Sequence, residues 1–160
     1  MNTGARIGAI AKITPRDINF KTKTISTLDE KNNERYTTFI CNDELEKILL
    51  LRCKNRRKDT PVLQENNAKL YDQIKDKMSK VLHKLFNNGV TDAKHKVVPH
   101  TLRHTFASHL AINGTPIYTI KKLMNHKDIN MTLRYAKLAP DTGMDAVAKL
   151  YISNKNNENI

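Results

Sequence analysis

Apolar positions recur along the chain in two different rhythms. Ile7, Ala9, Ile10 and Ile13 follow helical spacing, which predicts a helix over residues 5–11, broken before Pro15 because the pyrrolidine ring disfavours a helical conformation at Thr14. The rhythm then changes. Ile18 and Phe20, residues 22–28 and residues 35–40 are rich in β-formers, and the polar run Asp29-Glu30-Lys31-Asn32-Asn33-Glu34 can turn the chain between the last two. A two- or three-stranded antiparallel sheet is the simplest arrangement.

Helical spacing resumes beyond the sheet. Asn42 or Asp43 can cap a helix carrying Leu45, Ile48 and Leu49. Leu70, Ile74, Met78, Val81, Leu82, Leu85 and Phe86 step by threes and fours, a stripe read as the core-facing side of a long amphipathic helix that ends at Gly89. The next helix covers residues 101–113, with Leu102, Phe106 and Leu110 inward and Gly114 at its stop. Thr115-Pro116 opens another, whose apolar face is Ile117, Ile120, Leu123 and Met124. Asn130 is placed as the cap of a short helix holding Leu133 and Leu138, and Asp141 at the start of a last one with Val147 and Leu150. The expectation is a mainly α (α+β) domain over residues 1–153, with a small antiparallel sheet near its N-terminal end and a frayed polar tail over residues 154–160.

Composition narrows the partners more than the fold. With 160 residues, 39% of them hydrophobic, the chain can bury a core without staples. Cys41 and Cys53 are the two cysteines, so neither a disulfide scaffold nor a four-thiolate zinc site is supported, and a reducing compartment fits. No apolar run approaches the roughly 20 residues that span a bilayer. A cytoplasmic protein without membrane partners is expected. The 28 Lys and Arg against 16 Asp and Glu leave a net charge of +12, which favours a polyanionic partner. Between positions 47 and 58 stand Lys47, Arg52, Lys54, Arg56, Arg57 and Lys58, with no acidic residue among them. A solvated loop and a phosphate-contacting edge both fit that run; in the second case Lys54, Arg56, Arg57 and Lys58 are the DNA-binding candidates.

The candidate chemistry lies in the C-terminal half. In His100-Thr101-Leu102-Arg103-His104-Thr105-Phe106, His100 and Arg103 share one helix face and can address one anion near the helix start. Asn125-His126 and Leu133-Arg134-Tyr135 follow. His95, His104 and His109 form no complete metal-ligand pattern, and no metal or cofactor is expected. The helices around residues 108–125, joined near Gly114, also have the outline of a helix-turn-helix, which would make the chain a DNA-binding module without chemistry.

In these motifs the chain resembles the catalytic domain of the tyrosine recombinases, the phage-integrase-like site-specific DNA recombinases. The runs that carry the resemblance are Thr-Gly-Ala-Arg-Ile-Gly at the start, His-Thr-Leu-Arg-His-Thr-Phe-Ala-Ser-His-Leu in the middle, and Leu-Met-Asn-His-Lys-Asp-Ile followed by Thr-x-x-Tyr. Together they span nearly the whole chain. The resemblance implies six catalytic residues: Arg6, Lys31 on the hairpin, His100, Arg103, His126 and the nucleophile Tyr135. It implies attack of Tyr135 on a scissile phosphate, giving a 3′-phosphotyrosine and a free 5′-hydroxyl, with His100 as the preferred base and Lys31 as the general acid. Lys21 and Lys23 lie near enough in sequence to compete with Lys31. It further implies duplex DNA as partner, a synaptic tetramer of the parent enzyme with a monomer compatible with the isolated domain, and a contact of residues 141–151 with a neighbouring subunit or back onto their own domain.

The sequence also departs from the family pattern. Asn125 stands where Gly usually precedes the histidine, and Asn is among the residues that tolerate positive φ. Ala9 replaces an acidic residue that usually follows the first arginine, which is expected to loosen Arg6. Family members carry a further helix and a DNA-gripping domain ahead of the Thr-Gly-x-Arg segment, so a truncated C-terminal catalytic fragment is expected. An inactive fragment is the remaining alternative.

Overall fold

The computed structural model describes residues 3–29, 33–64 and 70–157, with side chains described through residue 150. Lys31 lies outside the described residues. The element order is helix α1 (Ile7–Ala11), strands β1 (Ile18–Asn19), β2 (Thr24–Asp29) and β3 (Glu34–Phe39), and helices α2 (Asp43–Cys53), α3 (Leu70–Phe86), α4 (Pro99–Ile112), α5 (Ile117–Met124), α6 (Asn130–Leu133) and α7 (Gly143–Asn157). This is a mainly α-helical fold with a small antiparallel sheet near its N-terminal end, in the order β1-β2-β3.

The strands are shorter than the β-formers alone suggest, for a local reason. The Asn19 side chain accepts a hydrogen bond from the Thr22 backbone at 3.0 Å, and Lys23 adopts φ 53°, so the chain turns through residues 20–23 and β2 begins only at Thr24. In β2 the inward positions alternate as Ile25, Thr27 and Asp29. A period of two therefore puts a carboxylate, rather than Leu28, at the end of the buried face. α1 likewise starts later than expected, because Arg6 is extended at φ −67°, ψ 142°.

Two cores result. Ile18, Ile25, Ile40, Leu49 and Val62 pack between the sheet and α2, and Asn42 caps α2 by accepting from the Leu45 backbone at 2.9 Å. Ala107 and Ala111 of α4 pack with Ile120 and Met124 of α5 and with Tyr135. The α3 stripe corrects the expectation of a fully buried face. Leu82 is buried, but Val81, Leu85 and Phe86 are more than half exposed, because α3 lies on the five-residue α1 and on α4, which cover only part of its length. Asn130 belongs to α6, and Asp128 accepts from its backbone at 2.9 Å. In α7, which opens where Asp141 accepts from the Gly143 backbone, Met144, Val147 and Leu150 are exposed, so these residues do not fold back onto the domain. No described helix is long and apolar enough to cross a membrane.

Candidate active site

The site grows from the carboxylate at the end of β2. Asp29 is buried, and its Oδ2 receives the Arg6 guanidinium as an ion pair. The same oxygen accepts from Asn125 Nδ2 at 2.8 Å. Asn125 sits in the left-handed region at φ 47° as it closes α5, where its backbone N–H bonds to Lys122 and that of His126 to Lys121, each at 3.1 Å. The positive φ read from the sequence is therefore present, and it has a second consequence: the reversal that satisfies the helix carbonyls also carries the amide to Asp29. The expected loosening of Arg6 is corrected, because Asp29 supplies from the sheet the charge that Ala9 lacks.

Arg103 extends from α4 into the interior and is 5% exposed. Its guanidinium donates to the carbonyls of Gly4 and Met124. These bonds tie the start of the chain and the end of α5 to one cation, while other N–H groups of the planar fork stay available. Gly4 has φ 57°, and a Cβ there would lie 2.3 Å from the Phe106 ring, so only glycine lets the backbone approach this closely. Burial lowers the Arg103 pKa, and the nearby Arg6 charge lowers it further. Arg6, His100, Arg103 and Asp29 line one cleft of about 460 Å³, with His100 exposed in the first turn of α4.

His126 is buried and shares a 3.0 Å hydrogen bond between its Nδ1 and Thr132 Oγ1. Burial, followed by the charges of Arg103 and Arg6, lowers its pKa to about 4, so the ring is neutral near pH 7. If the Thr132 hydroxyl donates to Nδ1, Nε2 carries a proton that can be offered to an anion. Tyr135 is 3% exposed within the helical core. Its hydroxyl meets Nδ1 of His104 at 2.5 Å. Burial raises the phenol pKa, while Arg134 and Arg103 oppose that rise. The His104 ring also packs edge-on against His100, with centroids 4.6 Å apart.

Five of the six catalytic candidates fall on described residues: Arg6, His100 and Arg103 line the one cleft, His126 lines the groove between β3 and α5, and Tyr135 is buried in the helical core. Both arginines act electrostatically on His126, and Arg103 acts on Tyr135. Two guanidinium groups lining one cleft suit the negative oxygens of a phosphate. Sequence reasoning passed over Asp29, His104, Thr132 and Arg134. The signals were present for two of them: period-two alternation through Thr27 to Asp29, and the four-residue step from His100 to His104, which keeps both rings on one helical face.

The basic run lies elsewhere. Lys54, Arg57 and Lys58 are exposed beyond the end of α2. Arg56 instead folds back to donate to the carbonyls of Pro61 and Gln64, each at 2.7 Å. None of these four residues lines the cleft with Arg6 or the groove between β3 and α5, where Lys121, Lys122 and Lys127 stand beside His126.

Residues 1–141 match the model of the phage integrase family. The integrase of Escherichia phage 186 is 35% identical over 106 residues, covering 63% of this chain and 32% of the relative. The catalytic domain of bacteriophage HP1 integrase superposes with a TM-score of 0.62 at 26% identity, over 92% of this chain and 75% of that one. The XerH site-specific recombinase, solved bound to its difH substrate in a pre-cleavage complex, shares the fold with a TM-score of 0.66 at 14% identity, over 93% of this chain and 43% of that one. The chain spans about a third to just under half of the length of the curated relatives it matches. With the family model covering residues 1–141 and the fold matching the catalytic domain of HP1 integrase, the chain belongs to the phage integrase family of tyrosine recombinases and corresponds to their catalytic domain.

Proposed function

We propose that this domain breaks and rejoins duplex DNA at a specific site through a 3′-phosphotyrosine on Tyr135. The observation that carries this function is the shared cleft of Arg6, His100 and Arg103, with the Arg103 charge also acting on His126 and Tyr135. Arg6 and Arg103 bind the nonbridging oxygens, where negative charge accumulates during attack. His126 adds a hydrogen bond, and His100 faces the phosphate from the mouth of the cleft. Loss of one such preorganised donor costs about 3 kcal/mol of transition-state stabilisation in comparable oxyanion sites. Lys31, two residues beyond Asp29 in the sequence, is assigned by resemblance as the acid for the leaving 5′ oxygen. The phosphotyrosine conserves the energy of the phosphodiester, so rejoining requires no ATP, and side chains rather than a metal handle the charge.

Duplex DNA is the proposed partner, in keeping with the net charge of +12 and with XerH, which was solved on DNA. Lys54, Arg57 and Lys58 contribute phosphate contacts, and the exposed apolar residues of α7 are available to a second copy in the synaptic tetramer of the parent enzyme. The test is covalent capture on nicked duplex DNA, resolved on a denaturing gel. A protein–DNA adduct with the wild-type chain and none with Tyr135→Phe is the expected result. Tight reversible binding without an adduct favours the non-catalytic module, and neither binding nor an adduct favours an inactive fragment.

A further inference from the structure

We propose that His104 is a further catalytic residue, the acceptor of the Tyr135 phenolic proton; this rests on the reading of Tyr135 as nucleophile. The hydroxyl of Tyr135 meets His104 Nδ1 at 2.5 Å. His100, the base expected from the sequence, instead packs its ring edge-on against His104. A neutral imidazole has one nitrogen that accepts a hydrogen bond, and the phenol is the donor suited to it. A general base must lie within hydrogen-bond reach of the proton it removes, and His104 meets that condition.

The surroundings keep His104 ready for this role. His100 and Arg103 face it from α4, Arg134 and Tyr135 from the segment after α6, and His126 is within electrostatic reach from the end of α5. Burial, then the charges of His100, Arg134 and Arg103, lowers its pKa, which favours the neutral, accepting form. The same cations oppose the imidazolium that forms on proton transfer, until a phosphate brings negative charge between them. The contact can thus hold the phenol protonated in the free domain and accept its proton when DNA is bound.

In the step itself the Tyr135 Oη–P bond forms and the P–O5′ bond breaks. The phenolic proton passes to His104 Nδ1, and the 5′ oxygen leaves with a proton from a separate acid. Rejoining runs in reverse, with His104 returning its proton to the departing phenol.

The test uses the full chain and a pool of duplexes with randomised arms around a single 5′-bridging phosphorothiolate, whose thiolate leaves without an acid. Adduct formation on this probe therefore reports activation of the nucleophile. His104→Asn places an amide oxygen near the Nδ1 position, so it can hold the hydroxyl but not take its proton. The expected result is adduct formation slowed about 100-fold or more with unchanged thermal stability. His104→Gly is the second variant, and added imidazole should restore part of its rate. Wild-type rates for His104→Asn, or a slow His104→Gly that imidazole does not help, would overturn the proposal while leaving Tyr135→Phe inactive and the nucleophile assignment intact. No adduct with the wild-type chain on either oxygen or sulfur substrate overturns the nucleophile assignment, and the role of His104 with it.

Discussion

Asn125 donates to Asp29 Oδ2 at 2.8 Å across 96 positions of the sequence, and the same oxygen holds the guanidinium of Arg6. The end of a strand, the end of a helix and the segment before α1 thus meet on one carboxylate.

Asp29→Asn removes the charge from this junction while conserving its shape. A charge-assisted hydrogen bond contributes about 1.5–3 kcal/mol, so covalent capture is expected to slow by about 10- to 100-fold as Arg6 loses its fixed direction. Single-turnover adduct formation measures this. Asp29→Glu, which keeps the charge on a longer stem, should recover part of the rate, whereas equal defects in the two variants would mean that the carboxylate does not orient Arg6.

Replacement of Asn125 separates backbone from side chain. Asn125→Gly accepts φ 47° without strain but loses the bond to Asp29, whereas Asn125→Ala loses the bond and keeps a Cβ in the left-handed region without the short polar side chain that lets Asn adopt it, which costs about 1–2 kcal/mol. Urea unfolding should therefore rank the proteins wild type, Asn125→Gly, Asn125→Ala. Equal midpoints for the two variants would show that the left-handed turn carries no cost here.

These two residues also mark what can be read from the sequence. The tolerance of Asn125 for positive φ is a local property and was legible, as were the order of the elements and the Asn42 cap. The Asp29 junction was hidden because Asp is a common turn residue. Only the register of β2, fixed by its pairing from Thr24↔Phe39 to Asp29↔Glu34, makes it the last inward position of a strand. The exposed part of α3 was illegible for a different reason: an amphipathic stripe states which face is apolar, but not how much of it neighbouring elements cover. The His104–Tyr135 contact joins residues 31 apart, a relationship that periodicity along either segment does not encode.

The buried histidine predicts a pH dependence of stability. His126 titrates near 6.5 when unfolded and about 4 when folded, so between those values the unfolded chain binds more protons and stability falls as pH falls. His100 and His104 are also shifted downward and act in the same direction. From His126 alone the loss is on the order of 3 kcal/mol across that window. Thermal unfolding between pH 7 and pH 4 should show a falling midpoint, with a shallower slope in His126→Gln. A slope unchanged in that variant would place the titration elsewhere.

The basic run beyond α2 divides into two roles that salt can distinguish. Arg56 is held by the carbonyls of Arg52, Pro61 and Gln64, so Arg56→Ala leaves three backbone acceptors without this donor and should lower stability by about 1–3 kcal/mol. Arg57 and Lys58 are exposed, and substituting either by Ala should leave the unfolding midpoint within about 0.5 kcal/mol of wild type. Their effect belongs to DNA affinity. Each phosphate contact contributes a slope of about −0.9 to log K against log salt concentration, so the double variant Arg57→Ala/Lys58→Ala should flatten that plot by about 1.8 if both side chains contact phosphates. Titration of a labelled duplex from about 50 to 300 mM salt, a range over which phosphate-dominated binding falls steeply, measures the change. An unchanged slope in the double variant would move the phosphate contacts off this run, and the same titration with Lys121→Ala/Lys122→Ala would then test the groove beside His126.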